Sequence, residues 1–398
     1  MKRWGIFVIL ALATAPAWSA KKVTVAELKE TLSSMHQAGK TDADVANALK
    51  QLELTEELTR TTMNSVVADV PGPLSTEQIY VLEARSAMLA PPASDIPTAA
   101  APDAAAQKAI LDKAADYVAK TYTQLPSLSA TRTTIRFQDN VEAVAASSGI
   151  HGGATDVSTG SALVNPYQFI HYINSTDAPV ASEHGAEKMP GEKDKTPWGA
   201  NKMIALQTPD PGLSGVFQDA QGAGDIKFVR WETVNGKQAA VYSFDVPKKK
   251  AHLPLDVCCF PDVSQTGVAN FTSASLGSAH GSGGGGAKGN FQTNTTYDIH
   301  FKNSSIPYHG ELFIEPDSGA VVRLVTELEL KSSDVVHQVD ERIDYGPVIA
   351  GGKTFVVPVR TIVDTEVVPN GDSGSAGNYS VRRTLFTSEY KDYQVAVQ

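Results

Sequence analysis

The chain has 398 residues, and its 34 lysines and arginines against 44 aspartates and glutamates give a formal net charge of −10 at pH 7. This acidic balance argues against a nucleic-acid partner, because binding to a phosphate backbone needs a basic surface. The length allows two or three domains.

Residues 1–20 have the pattern of a secretory signal peptide. Lys2-Arg3 precedes the apolar run Ile6–Ala13, and small residues between positions 15 and 19 offer cleavage sites. The apolar run is too short to span a bilayer, and no later stretch approaches the roughly 20 apolar residues of a transmembrane helix. We therefore expect a soluble, exported protein that does not span a membrane and resides in the periplasm or the extracellular medium.

Residues 21–90 predict a small bundle of four amphipathic helices. The expected helices begin at a capping box Thr24–Glu27, at Thr41, at Leu54 and at a Ser75–Gln78 cap, and the third ends at Val67. Such a bundle is typical of a packing or partner-docking module. Export and acidity both disfavour a DNA-binding helix-turn-helix.

Residues 91–105 are rich in Ala and Pro without an apolar period, which predicts a linker and a domain boundary. Apolar residues then recur at helical spacing over Ala104–Tyr122. The sequence after it has the alternation of a strand, with Thr133, Ile135 and Phe137 expected on one face. A helix followed directly by a strand indicates the start of an α+β unit. We assign residues 106–398 to this second domain.

Residues 308–363 predict four or five antiparallel strands in succession. In 321–330, apolar and charged positions alternate, which predicts a strand buried on one side and exposed to water on the other. The apolar set is Val322, Leu324, Leu328 and Leu330, and the charged set is Arg323, Glu327 and Glu329. The segment 335–345 alternates in the same way, with Asp340, Arg342 and Asp344 on its polar side.

Asn235-Gly236 predicts a type I′ hairpin between the runs Lys227–Val234 and Lys237–Val246. Val229, Trp231 and Thr233 are expected on one face of the first strand. Residues 247–296 interrupt the sheet pattern with glycine-rich sequence, and we expect a flexible insertion there.

The only two cysteines are adjacent, Cys258-Cys259, so no disulfide closes a loop of the chain. A vicinal disulfide, two free thiols and an intermolecular bridge all stay open. A metal site is disfavoured, since the flanking residues lack a recurring ligand spacing.

Several motifs look catalytic but lack the partners that the chemistry needs. The sequence of Gly371–Gly374 matches the nucleophile loop of trypsin-like proteases. The mechanism also needs a histidine as general base, and His280 lies in a glycine run that cannot hold it in position. Gly281–Gly289 lacks the Gly-Lys-Ser/Thr ending of a phosphate loop. His184 has no second histidine at ligand spacing, and Glu327 with Glu329 is expected to be solvated. We expect no catalytic, cofactor-binding or metal site, and no enzyme.

Two regions together resemble the lipoprotein-carrier superfamily. The first region is residues 104–137, which include the turn Leu125–Ala130. The second is residues 308–393, in which the stretch Gly310–Gly319 ends in a turn. The superfamily includes the periplasmic lipoprotein chaperone and the N-terminal domain of the periplasmic regulator that senses envelope stress. The mature chain also resembles a group of bacterial exported proteins without an assigned activity, through short motifs such as Tyr345–Val348.

The resemblance implies an antiparallel sheet curled into an incomplete barrel around one or two helices, with an apolar concavity for acyl chains and no catalytic residues. We accordingly expect an α+β fold in which the small helical bundle precedes this sheet. The expected function is binding of a lipid, an acylated molecule or another hydrophobic ligand, with Leu324 facing the cleft and no cofactor. The alternative is an envelope module that senses or docks another protein.

Overall fold

The computed structural model describes residues 20–140, 168–183, 186–187, 205–207, 212–252, 256–258, 299–300, 306–331, 336–367 and 382–396. The α-helices in these ranges are α1 (Val25–Gln37), α2 (Asp42–Leu49), α3 (Arg60–Val67), α4 (Pro73–Arg85), α5 (Ala104–Lys120) and α6 (Gly212–Ala223). None of the described helices is long and apolar enough to cross a membrane.

The strands in the same ranges are β1 (Lys21–Val23), β2 (Leu52–Leu54), β3 (Leu128–Asn140), β4 (Gln168–Glu183), β5 (Ala186–Glu187), β6 (Ala205–Gln207), β7 (Lys227–Val234), β8 (Lys237–Val246), β9 (Asp256–Cys258), β10 (Ile299–His300), β11 (Tyr308–Ile314), β12 (Val321–Leu328), β13 (Val336–Ala350), β14 (Lys353–Val367) and β15 (Arg382–Val395). Most of the predicted insertion 247–296 lies outside the described residues.

Ten strands form one antiparallel sheet in the order β5-β4-β3-β15-β14-β13-β12-β11-β8-β7. The terminal strands β5 and β7 do not pair with each other, so the sheet is open and does not close into a barrel. The predicted α+β fold, with a helical bundle before an open antiparallel sheet that packs on helices, is confirmed.

One face of the sheet, here called the inner face, carries the main apolar core. Tyr242, Leu312, Leu324 and Ile343 lie side by side on adjacent strands, and they belong to one buried cluster with apolar residues of α5 and α6. Leu324 is only 3% exposed. It is therefore part of a packed core, which does not support the expectation that it lines a ligand cleft.

The predicted hairpin is confirmed between β7 and β8. Asn235 and Gly236 have φ values of 52° and 78°, as a type I′ turn requires. The predicted face of β7 is wrong at Val229, where the register skips one residue and the side chain is exposed. Phe228 packs against the inner core instead. A β-bulge of this kind shifts the alternation by one residue.

A second bulge corrects the predicted face of β12. Phe313 pairs with Arg323, and Ile314 pairs with Val321, so Val322 is the extra residue. Val322 packs with the cluster on the opposite face from Leu324. The side chains of β12 therefore alternate between the two faces as predicted only after Val322.

The helical bundle (residues 21–90) follows the predicted capping signals at its start. Thr24 with Glu27 and Thr41 with Asp44 form complete capping boxes. The third helix begins later than predicted, because β2 pairs in parallel with β1 and uses the residues up to Leu54.

The predicted Ser75–Gln78 cap of the fourth helix is also wrong. Gly72 occupies the N-cap position and Pro73 follows it. The carboxylate of Asp42, in the first turn of α2, accepts hydrogen bonds from the backbone N–H groups of Leu74 and Ser75. An acceptor from another helix thus satisfies free N–H groups at this terminus.

Helix α4 joins the bundle to the other face of the sheet, here called the outer face. Ile79 and Leu82 pack into the core of the bundle. Val81, Ala84 and Ala87 pack against apolar residues of the sheet that include Ile362 and Leu385. The outer face was expected to be exposed to water, and beneath α4 it is buried instead.

We expect Leu324→Ala to lower the free energy of unfolding by about 2–5 kcal/mol, the usual cost of truncating a buried leucine. Ile349→Ala is the matched control, since Ile349 is 75% exposed and a surface change usually stays within about 0.5 kcal/mol. Urea unfolding followed by circular dichroism measures both. Equal stability of the two variants would contradict the assignment of Leu324 to a packed core.

Candidate functional site

A network of buried charges crosses the outer face beneath the bundle. It consists of Glu311, Arg230, Glu232, Arg323, Asp344, Arg342 and Glu57, here called the interface network. On the sheet, Arg230 contacts Glu311 at 2.6 Å and Glu232 at 2.9 Å. Arg323 then joins Glu232 at 3.0 Å to Asp344 at 2.7 Å.

The network ends on the bundle at Glu57, in the segment before α3. Arg342 lies 3.1 Å from Asp344 and 2.6 Å from Glu57. The same guanidinium donates a 2.8 Å hydrogen bond to the backbone carbonyl of Ala87. Arg342 is 3% exposed, so a single buried side chain contacts both the segment before α3 and the segment after α4.

A second buried pair fixes α4 itself. Arg360 of β14 donates to both carboxylate oxygens of Glu83, at 2.7 and 2.6 Å. Because the contact is bidentate, it fixes the relative orientation of the two side chains and also strengthens their interaction. In these contacts the sheet supplies the guanidinium and the bundle supplies the carboxylate.

The network contains two carboxyls, Asp344 and Glu232, whose pKa values are shifted in opposite directions. Burial alone would raise the pKa of Asp344, but Arg323 and Arg342 lower it well below its usual range. For Glu232 burial dominates and raises the pKa, with Glu57 adding to the effect, although Arg323 and Arg230 oppose it. Asp344 is therefore the firmly ionised centre of the network.

Two cavities flank α4 where it crosses the sheet. Cavity A has a volume of about 200 Å³, and cavity B has a volume of about 190 Å³. Leu82, Arg85 and Arg383 line both of them. The cavities therefore lie on adjacent sides of the same helix, between the bundle and β13–β15.

The walls of the two cavities differ in chemistry. Cavity A is partly apolar, with the lining residues Leu49, Leu52, Val81, Leu82, Phe169 and Ile170 beside six polar ones. Cavity B has Asp340, Asp364 and Glu327 on the side of the sheet and Leu54, Met88 and Leu89 on the side of the bundle. Asp364 is held by Arg383, whose Nε lies 2.8 Å from Oδ1.

Asp340 has the most perturbed carboxyl of cavity B. Burial raises its pKa to about 7, with Glu327 and Asp364 adding to the increase, while Gln338 and Arg383 oppose it. The carboxyl thus changes charge close to neutral pH, inside a cavity.

A separate constellation lies where the chain enters and leaves the segment 253–305. The buried carboxylate of Asp219 on α6 accepts from His252 Nδ1 at 2.7 Å and from the hydroxyl of Tyr308 at 2.9 Å. A buried carboxylate that orients an exposed imidazole is one part of general-base catalysis. In the described part of the chain no serine, threonine or cysteine is hydrogen-bonded to this imidazole.

Most of the motifs that the sequence singled out lie outside the described residues. Cys258 ends β9, and Cys259 is outside, as are His184, His280, Gly281–Gly289 and Gly371–Gly374. The vicinal disulfide, two free thiols and the intermolecular bridge all stay open. Glu327 and Glu329 flank His309 at 3.5 and 3.7 Å and are partly exposed. The described residues contain no group of three or more side chains that could hold a metal ion.

Sequence reasoning missed the interface network because Arg323, Arg342 and Asp344 follow the same alternation as solvent-exposed residues. A buried row of charges and an exposed row have the same period of two. The missed signal in the bundle was Glu83, an acidic residue that follows Val81 and Leu82 and precedes Ala84.

No family model and no curated protein matches the sequence. Among solved structures, a LolA superfamily protein from Nitrosomonas europaea aligns at 10% identity over 73% of this chain and 94% of that chain, with a TM-score of 0.21. A chain of the Pseudomonas aeruginosa MucA/MucB complex aligns at 10% identity over 74% and 100%, with a TM-score of 0.15. MucB in complex with MucA gives 9% identity, 73% and 99% coverage, and a TM-score of 0.14.

A member of the superfamily that the sequence resembles is thus among the structural matches. Superpositions with TM-scores of 0.21 or less do not define a family. The site must therefore be interpreted from its own geometry.

We expect Glu57→Gln to lower the free energy of unfolding by about 1.5–3 kcal/mol, the usual value of a hydrogen bond to a charged group, because it removes one of the two carboxylates that contact the buried Arg342. Glu30→Gln, on the exposed side of α1, removes the same charge and serves as the control. Chemical denaturation of both variants measures the difference. A Glu57→Gln variant as stable as the control would show that Arg342 does not depend on Glu57.

We expect Asp340→Asn to stabilise the protein more at pH 8 than at pH 5, by about 2–3 kcal/mol. A carboxyl whose pKa is raised by folding contributes stability below its unfolded pKa and loses that contribution as the pH rises to about 7. Asn has no charge to bury. Denaturant unfolding at the two pH values tests this, and a pH-independent effect of the substitution would argue against a raised pKa.

Proposed function

We propose that the chain is an exported, non-enzymatic binding protein whose ligand site is the cleft that α4 covers. The observation that carries the proposal is the pair of adjoining cavities between the bundle and the outer face of the sheet. Clefts with apolar walls and a few convergent polar groups are the usual form of a binding site. Export is supported by the leader-like residues 1–20.

The size of the cavities limits the ligand. Typical pockets for drug-sized molecules have about 300–1,000 Å³, and each cavity here falls below that range. A small molecule or one side chain of a partner protein fits this volume better than a whole acyl chain. The geometry therefore favours the alternative of an interaction or sensor module over a carrier of intact lipids.

Binding of a lipid or acylated ligand remains the second candidate. Its specific support is an apolar rim at one end of the inner core, where Val348, Phe355 and Tyr393 are only partly buried. Ile349 and Val395 are exposed nearby in sequence. An acyl chain would have to lie along this rim, because the packed residues around Leu324 leave it no place in the core.

The absence of catalysis is part of the proposal. The pair formed by His252 and Asp219 is the strongest argument for an enzyme, since it presents an oriented imidazole. A hydrolytic mechanism also needs a nucleophile and a site that stabilises developing charge. The hydrogen bonds of Asp219 to His252 and Tyr308 are equally suited to fastening the two ends of the segment 253–305 to α6.

The experiment is purification of the exported chain from a periplasmic fraction, followed by native and denaturing mass spectrometry. We expect the wild type to carry a small non-covalent mass that Leu89→Trp loses, because Leu89 lines cavity B and is partly exposed, so a larger side chain can fill the cavity. Val395→Trp is the control on the rim, since Val395 lies two residues after Tyr393 on β15 and is exposed. A phospholipid-sized mass that only Val395→Trp removes would favour the lipid candidate and contradict the proposed cleft.

A further inference from the structure

We propose that cavity B binds a primary ammonium group carried on a short alkyl chain. The inference rests on the proposed function, because it names the ligand chemistry for one part of the same cleft. It follows from how charge and apolar surface are divided between the two walls of the cavity.

The sheet forms an anionic wall. Asp340, Asp364 and Glu327 come from three adjacent strands, β13, β14 and β12. Arg383 neutralises Asp364 through three hydrogen bonds. In the described part of the chain, the imidazole of His309 lies 3.5 Å from the carboxylate of Glu327. The anionic charge of Asp340 and Glu327 is therefore less completely balanced than that of Asp364.

The wall on the side of the bundle has more apolar side chains. Leu54, Leu82, Met88 and Leu89 line it, together with Glu53, Arg85 and Ser86. A ligand that fits both walls has a cation at one end and an alkyl chain at the other. A neutral alcohol would match the apolar wall alone, and an inorganic cation would match the anionic wall alone.

The charge balance around Asp340 favours a cation. Gln338, Glu327, Asp364 and Arg383 face it from the sheet, and Arg85 with Glu53 lines the cavity from the bundle. Burial and the two neighbouring carboxylates raise the pKa of Asp340 to about 7. A bound ammonium favours the ionised form of the Asp340 carboxyl. Below pH 7, its binding must therefore displace the proton from this carboxyl.

A metal ion is a poorer candidate. Metal ions need several ligand atoms at about 2.0–2.6 Å, and the described residues contain no such group. The carboxylates instead surround a space of about 190 Å³. This space is below the range of pockets for drug-sized molecules, so a short alkyl chain suits it better than a long one.

The test is isothermal titration calorimetry of the full-length mature protein with n-pentylammonium at pH 8 and pH 5.5, and with 1-pentanol as the neutral probe of the same shape. We expect pentylammonium to bind at pH 8 and pentanol to bind at least tenfold more weakly. Affinity should fall about 30-fold at pH 5.5, because each pH unit below 7 costs about a factor of ten when one proton must leave.

Asp340→Asn should weaken pentylammonium binding at least tenfold while keeping the fold, since this variant is expected to be more stable than the wild type. Asp317→Asn is the charge-matched control, because Asp317 lies on the exposed turn between β11 and β12. Equal binding by the Asp340→Asn variant and the control, or equal binding of pentanol and pentylammonium, would overturn the inference.

A second ligand separates the two sources of an ammonium group. Nα-acetyl-lysine amide carries the same group on a peptide backbone. If it binds as tightly as pentylammonium, the cavity accepts a lysine side chain of a partner; if only pentylammonium binds, the ligand is a free amine. If neither amine binds, the ammonium inference is wrong. If Leu89→Trp nevertheless removes a small co-purifying mass, the proposed cleft still stands.

Discussion

The structure depends on carboxylates that neutralise the positive charge of the arginines buried on the outer face of the sheet. A guanidinium does not lose its proton in a protein, so burial cannot neutralise it and a carboxylate must. The sheet provides Asp344 and Glu232 for this purpose, and the bundle provides Glu57 and Glu83. Without the bundle, Arg342 would lose Glu57 and keep Asp344, and Arg360 would lose its bidentate contact with Glu83.

This constraint also determines where the cleft lies. Directional pairs to Arg342 and Arg360 fix α4 at two points above β13 and β14. Beside these points the sheet continues with Asp340, Asp364 and Arg383, whose charged groups cannot pack as closely against Leu82 as apolar side chains would. The cavities on the two sides of α4 are the result. The bundle is therefore both a structural support and one wall of the candidate site.

The two faces of the sheet differ in their physical character. The inner face is packed with apolar side chains of α5 and α6, and such a core excludes water and leaves little free volume. The outer face is a buried polar interface, where charges remain and cavities persist. This division places the free volume, and with it the proposed site for small ligands or single side chains, on the outer face. It also explains why the apolar residues that suggest a lipid site in the sequence belong to the core instead.

The sequence by itself determined the elements whose causes are local. The capping boxes at Thr24 and Thr41, the turn at Asn235-Gly236 and the apolar alternation of β13 all act within a few residues, and each was correctly predicted. The α+β order of the chain followed from them.

Only the tertiary structure decided which face of the sheet is covered, and hence where the candidate site lies. Alternation shows that Arg342 and Ile343 point in opposite directions, but not whether water or a second layer meets Arg342. That depends on Glu57, which is 285 residues away in the sequence. The bulges at Val229 and Val322 are likewise properties of strand pairing, and single-strand periodicity does not record them. Long-range charge pairing and register are interactions between segments, so no pattern within one segment could determine them.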